Sequence, residues 1–159
     1  MAEIKRILLA EDNLKDVELT LVALDEYHLA NEVVVANDGS EALDYLYKRG
    51  RFAMRPVGNP VVVLLDLKMP KVDGLEVLRT IKGDHDLKAI PVVILTSSRE
   101  EQDLVKSYNL GVNAYVVKPV EFKAFVDAVK QLGGFWALLN EPPPGTLGRT
   151  KEPRRSAVA

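Results

Sequence analysis

Short apolar runs that each stop on a polar or charged residue recur along the chain, separated by segments whose apolar residues return at helical spacing. Pro60-Val61-Val62-Val63-Leu64-Leu65-Asp66 is the clearest run. An unbroken β-favouring apolar stretch after a proline reads as a central parallel strand covered on both faces. A charge inside such a strand is costly, so Asp66 belongs at its carboxyl end, where open α/β sheets hold their ligands. Lys5-Arg6-Ile7-Leu8-Leu9-Ala10 stops likewise on Glu11-Asp12. Pro91-Val92-Val93-Ile94-Leu95 stops on Thr96-Ser97-Ser98, and Ala114-Tyr115-Val116-Val117 stops on Lys118-Pro119. Glu32-Val33-Val34-Val35-Ala36 is a further strand.

Between these runs the pattern is helical. A first helix starts at Asn13, with Asp16 as its capping partner, and runs near Leu14 to Tyr27 with Val17, Leu21 and Leu24 on the buried face. Asp38-Gly39-Ser40 leads into a second helix carrying Leu43, Leu46 and Tyr47. Gly50 to Pro60 reads as a loop because prolines and glycines cluster there. Further helices are predicted near Gly74 to Lys82, near Arg99 to Asn109 and from Val120 to Leu132, where Phe122, Phe125, Val126, Val129 and Leu132 are mainly core. Gly111 sits where a helix stop is wanted. Strand and helix thus alternate throughout, which predicts an α/β fold with a doubly wound five-stranded parallel sheet.

Composition adjusts this picture little. With 159 residues, 47% of them apolar, the chain suits a single domain with a proper core. A net charge of −2 gives no reason to expect nucleic acid as a partner. No apolar run approaches bilayer length and no amino-terminal signal segment is evident, so the expectation is a cytoplasmic protein without membrane association. The absence of cysteine fits a reducing compartment. Residues 133–144 form an extension carrying Phe135-Trp136 and Leu138-Leu139, and 145–159 read as a flexible, basic tail beginning after Pro142-Pro143-Pro144.

The strand ends carry the chemistry. Glu11, Asp12 and Asp66 on one rim repel one another and call for a cation; a few hard oxygen ligands suit Mg²⁺ better than zinc, which favours His or Cys. Only His28 and His85 are present, away from the acids. Thr96 supplies a hydroxyl and Lys118 an ammonium on the same rim. Together these are the parts needed to stabilise a transferring phosphoryl group: a carboxylate nucleophile, a metal, a hydroxyl donor and a fixed cation. Taken singly, Asp66 is also an acid suited to cap a turn, Lys118 a surface lysine, Tyr115 a packing residue and Thr96 a cap.

In this order and spacing, Glu11-Asp12, Asp66 with Met69-Pro70 and Asp73-Gly74, Thr96, and Lys118-Pro119 resemble the response-regulator receiver domains of bacterial two-component signalling. The likeness covers roughly residues 4 to 132, so 1–132 is assigned as the receiver. It implies the flavodoxin-like strand order 2-1-3-4-5. It also implies that Asp66 is the phospho-acceptor, that Asp12, Asp66 and the backbone carbonyl of Lys68 hold Mg²⁺, and that Glu11 acts through water. Thr96 becomes the switch hydroxyl, Lys118 the phosphate-pairing cation after which a cis proline bond follows, and Tyr115 the aromatic switch. Lys68 and Ser98 flank the path of the attacking water in this family.

Asp44-Tyr45-Leu46-Tyr47-Lys48-Arg49-Gly50, Leu65-Asp66-Leu67-Lys68-Met69-Pro70 and the segment from Phe135-Trp136 to Pro144 resemble small regulators paired with phytochrome-type kinases. The function expected is therefore that of a stand-alone response regulator, phosphorylated on Asp66 by a sensor histidine kinase, with a bacteriophytochrome as one candidate, and signalling through protein contacts. It is not an enzyme in the usual sense, although it catalyses its own Mg²⁺-dependent phosphoryl transfer and loss. Phe135 and Trp136 are expected to join the last strand and helix in a homodimer. The alternatives are a phosphorylation-independent scaffold and an aspartate-nucleophile phosphatase, which commonly carries a second acid where Lys68 stands. No phosphate-cradling glycine motif follows the first strand, which disfavours a nucleotide- or flavin-binding protein.

Overall fold

The computed structural model describes residues 6–25, 32–112 and 114–132. Its strands are β1 (Arg6–Ala10), β2 (Glu32–Ala36), β3 (Val62–Asp66), β4 (Val92–Thr96) and β5 (Tyr115–Val117). The helices are α1 (Leu14–Asp25), α2 (Gly39–Tyr47), α3 (Gly74–Gly83), α4 (Arg99–Ser107) and α5 (Phe122–Leu132). All strand pairs are parallel and the sheet runs β2-β1-β3-β4-β5. This is the order implied by the receiver likeness.

The two-residue period of the strands divides their side chains between two cores. Leu8, Val63, Leu65 and Ile94 face α2, α3 and α4, where they meet Tyr45, Leu46, Val77, Leu78, Ile81 and Val105. Ile7, Leu9, Leu64, Val93 and Leu95 face α1 and α5, where they meet Val17, Leu24 and Phe125. Burial on both faces explains why β1, β3 and β4 read as continuous apolar runs rather than alternating ones. Among the described residues, no helix is long and apolar enough to cross a membrane.

Four details differ from the sequence reading, the simplest being that α5 begins at Phe122 and not at Val120. The loop from Gly50 to Pro60 holds a short 3-10 turn (Gly50–Phe52) that buries Phe52 edge-on against Tyr45, ring centroids 5.1 Å apart. Arg55 orders the rest by donating to the carbonyls of Tyr45 (2.6 Å) and Gly58 (2.9 Å). On α2 it is Tyr45 that enters the core, while Tyr47 stays exposed and donates its hydroxyl to Asp84 Oδ2 at 2.6 Å. At α4 the helix ends two residues early, because Asn109 and Gly111 take positive φ of 52° and 82°. Residues 133–159, and with them Phe135 and Trp136, lie outside the described residues.

Candidate functional site

The carboxyl ends of β1, β3, β4 and β5 converge on one rim, as the sequence pattern predicts. Glu11 follows β1 with its amide donating to the Ala36 carbonyl at 3.0 Å, which continues the ladder by one residue and draws its carboxyl into the protein. Glu11 is fully buried and Asp66 nearly so, whereas Asp12 is exposed. One carboxylate oxygen from each of the three lies within 4.8 Å of the others, a spacing that a single cation can bridge. The donor set is all oxygen and formally trianionic. It fits a hard divalent cation.

Lys118 reaches the same acids from the far edge. Its amide donates to the Thr96 carbonyl at 2.8 Å and the bond to Pro119 is cis. The ammonium lies 3.4 Å from Glu11 Oε1, 3.4 Å from Asp66 Oδ1 and 3.0 Å from Asp16 Oδ2. Burial lowers its pKa, but the hydrogen bond to Asp16 and the charges of Asp66, Glu11 and Asp16 outweigh that and raise it. The lysine is thus held charged.

Both inner carboxyls are pushed the other way. Burial, then the Asp66 charge, drive Glu11 up to about 7 against the pull of Lys118. Asp66 is raised as well, chiefly by burial, with Lys118 opposing. Two acids this close inside a protein share protons until extra positive charge arrives. At the end of the neighbouring strand β4 the Thr96 hydroxyl is buried, the one such side-chain polar atom without a hydrogen-bond partner among the described residues. An unpaired buried hydroxyl is costly, which is reason to expect a ligand oxygen there.

Tyr115 is half-buried against the core beneath α4, its hydroxyl donating to the Val112 carbonyl at 3.0 Å. Lys106 lies over its ring, 5.5 Å from the centroid. Ser98, rather than Thr96, caps α4: its Oγ accepts from the Glu101 amide at 3.2 Å. Glu101 answers by accepting from the Ser97 amide at 2.9 Å and from the Ser97 hydroxyl at 3.2 Å. The Lys68 side chain, 81% exposed, leans onto Glu101 Oε2 at 3.3 Å. Between them opens a cavity of about 440 Å³ lined by Asp12, Lys68, Met69, Pro70, Asp73 and Leu104.

Two features escaped the sequence reading. Asp16 does not complete a reciprocal cap on α1: Asn13 Oδ1 accepts the Asp16 amide at 3.0 Å, but Glu11 Oε2 takes the Asn13 amide at 3.2 Å. The Asp16 carboxylate is left to meet Lys118. Its position in the first helical turn after an acidic strand end was the available signal. Glycine packing was the second. Gly74 lies against the Asp66 carbonyl, with its own amide donating to Leu67 O at 2.8 Å, and Gly39 lies against the Val72 carbonyl.

Comparison with known proteins agrees with this geometry. The family model of the response regulator receiver domain matches residues 7–130. Response regulator Rcp1 of Synechocystis sp. is 40% identical over 132 residues, spanning 83% of this chain and 88% of the relative. The Mn²⁺-bound form of Rcp1 gives a TM-score of 0.66 at 38% identity over 89% of this chain and 99% of that one. The bacteriophytochrome response regulator AtBRR gives a TM-score of 0.83 at 68% identity, covering 88% of this chain and all 100% of that one. The phosphorylated cyanobacterial phytochrome response regulator RcpA gives 0.68 at 42% identity, covering 85% and 95%.

Proposed function

The chain belongs to the response regulator receiver domain family, and from that membership we propose that Asp66 accepts a phosphoryl group from a sensor histidine kinase. The observation that carries this reading is the placement of Asp66: beside Lys118, inside the acidic group, with the unpartnered Thr96 hydroxyl on the neighbouring strand. A phytochrome-type kinase is the donor favoured by the likeness to AtBRR, RcpA and Rcp1. The site lies in a protein of the cytoplasm, where such a kinase domain resides.

Asp66 attacks phosphorus through one carboxylate oxygen. The bond from phosphorus to the donor nitrogen breaks, its electron pair stays on the imidazole, and an acyl phosphate forms. For this the Asp66 carboxyl must be ionised, although burial alone favours its neutral form. Lys118 offsets that penalty in the ground state and pairs with phosphoryl oxygens as charge develops. The Thr96 hydroxyl donates to another of those oxygens.

Mg²⁺ is the cation proposed for Asp12, Asp66 and the Lys68 carbonyl, with Glu11 acting through water; when bound it supplies charge neutralisation for the carboxylates and the phosphoryl oxygens. The new bonds then draw Thr96 toward the phosphate and let Tyr115 move inward, which biases the face of α4 and β5 that partners read. Hydrolysis of the acyl phosphate at the same site resets the protein. The extension at Phe135 and Trp136 joins that face in a homodimer, since each large apolar side chain so buried is worth on the order of 1.5–3 kcal/mol.

Incubation with Mg²⁺ and acetyl phosphate, followed by mass measurement, tests the acceptor. Wild type gains one base-labile phosphoryl group and Asp66→Asn gains none. Equal labelling of both would end the assignment, and an unlabelled wild type would favour a phosphorylation-independent scaffold. Sedimentation at tens of micromolar tests the homodimer, which a monomeric wild type with and without phosphodonor would defeat.

A further inference from the structure

We propose that Asp16 is a positioning residue for Lys118, holding the ammonium in place while the phosphoryl group passes to Asp66. The proposal rests on the phospho-acceptor reading above for its kinetic consequence, but its geometric content stands alone. A lysine ammonium is a point charge on a flexible stem with three rotatable donors, so its neighbours must fix where it points. Here the neighbours are three carboxylates on separate elements: Glu11 after β1, Asp66 at the end of β3 and Asp16 on α1. Asp16 makes the shortest contact, 3.0 Å against 3.4 Å for each of the others.

The three are not equivalent. Glu11 and Asp66 belong to the group whose oxygens a cation can share, and Asp66 is also the proposed nucleophile. Asp66 gives one carboxylate oxygen to phosphorus, and the charge of Glu11 would be shared with a cation when one is bound. Asp16 lies outside that group and so remains a full counter-charge to Lys118 throughout. Its own place is well determined, because the Asn13 side chain accepts its amide and the same helix is anchored by buried Val17, Thr20 and Leu24. With side chains only 16% and 26% exposed, the Lys118 and Asp16 pair is also shielded from the screening that weakens surface ion pairs.

During transfer the bond from phosphorus to the leaving group breaks, a bond to Asp66 forms, and the donor N–H of Lys118 that faces Asp66 turns to a phosphoryl oxygen. The N–H to Asp16 need not turn. Without Asp16 the ammonium loses its fixed pivot, and a misplacement of about 1 Å at a transferring group can cost up to 100-fold in rate.

Five proteins test this: wild type, Asp16→Ala, Asp16→Asn, Lys118→Met and the double variant of Asp16→Ala with Lys118→Met. Each is labelled from acetyl phosphate at saturating Mg²⁺, with Mg²⁺ affinity measured separately by amide NMR titration. Asp16→Ala is expected to slow labelling about tenfold and to leave Mg²⁺ affinity within about twofold, while Asp16→Asn, which keeps an acceptor oxygen, falls between it and wild type. In the Lys118→Met background the same substitution should cost nothing further. An equal tenfold loss in that background, or labelling by Asp16→Ala at or above the wild-type rate, overturns the proposal. A second readout needs no phosphodonor: the Lys118 ammonium resonance should be sharp and slow to exchange in wild type and broadened in Asp16→Ala. An unlabelled wild type would sink the acceptor reading of Asp66 instead, and the positioning role would then fall if that resonance were unchanged by the substitution.

Discussion

The ammonium of Lys68 lies 3.3 Å from Oε2 of Glu101, so the loop that follows Asp66 is tied to the first turn of α4. Burial raises the Glu101 pKa, but the Ser97 amide and Lys68 outweigh it and keep the carboxylate ionised. Lys68, two residues after Asp66, therefore lines the cavity together with Asp12 and Leu67. On the phospho-acceptor reading this obstructs the attacking water, and Lys68→Asn is expected to shorten the lifetime of the acyl phosphate. Lys68 is largely exposed, so the tie is worth ~0.2–1 kcal/mol and the lifetime should fall no more than about fivefold. Decay of the label after removal of donor measures it. A longer-lived label in Lys68→Asn would mean that the lysine orients the water rather than obstructing it.

Gly74 sets the backbone on which Asp66 sits. A Cβ there would collide with the Asp66 carbonyl oxygen and lie 2.6 Å from Leu67 Cα. Backbone cannot yield as a side chain can. Gly74→Ala is expected to cost about 1–3 kcal/mol in urea unfolding and to impair labelling by displacing the acceptor. Gly83 ends the same helix, and a methyl added there would meet nothing within 4 Å, so Gly83→Ala should be neutral or stabilise by about 0.4–1 kcal/mol. Similar effects from the two substitutions would show that helix propensity, not contact with Asp66, governs the site.

The strand ends were legible because a buried parallel sheet demands apolar runs, and any acid, hydroxyl or ammonium that ends one must emerge at the rim. That logic reached Glu11, Asp12, Asp66, Thr96 and Lys118 without any coordinates. It could not reach Asp16 or Glu101, which are ordinary helix-first-turn acids until tertiary structure brings a lysine to them. It named Tyr47 with Leu43 and Leu46 on α2, whereas Tyr45 is the ring enclosed, because the 3-10 turn carrying Phe52 packs against it. Close approach of Gly39 and Gly74 to neighbouring carbonyls is likewise a property of packing.

Asp12 offers a separable test of the cation site, because it is exposed and has no contact with Lys118 among the ion pairs formed there. Asp12→Asn removes one anionic ligand and leaves the inner acids in place. Cation affinity followed by amide NMR should drop by about tenfold or more, with labelling restored at higher Mg²⁺. Unchanged affinity would remove Asp12 from the ligand set.

Glu11 gives the site a pH signature in the absence of metal. Its carboxyl titrates near 7 in the folded protein against 4.5 ordinarily, so between those values the folded chain holds a proton that the unfolded chain has released. Stability must then fall as pH rises across that window and level off above it. The raised pKa of Asp66 acts in the same direction. Lys118, raised from 10.5, contributes stability that is present throughout the window and lost only at far higher pH. A tenfold change in a proton-binding constant corresponds to about 1.4 kcal/mol, so Glu11 alone should account for a loss on the order of 2–3 kcal/mol between pH 5 and pH 8 in EDTA. Glu11→Gln should flatten that slope, since an amide buried at the same place does not titrate. Mg²⁺ at pH 8 should restore stability to wild type, and its binding near pH 6.5 should release protons measurable by the buffer dependence of the calorimetric heat. Stability in EDTA that rises from pH 5 to pH 8, with no difference between wild type and Glu11→Gln, would mean that the Glu11 carboxyl is ionised across the whole range and that Lys118 alone balances it.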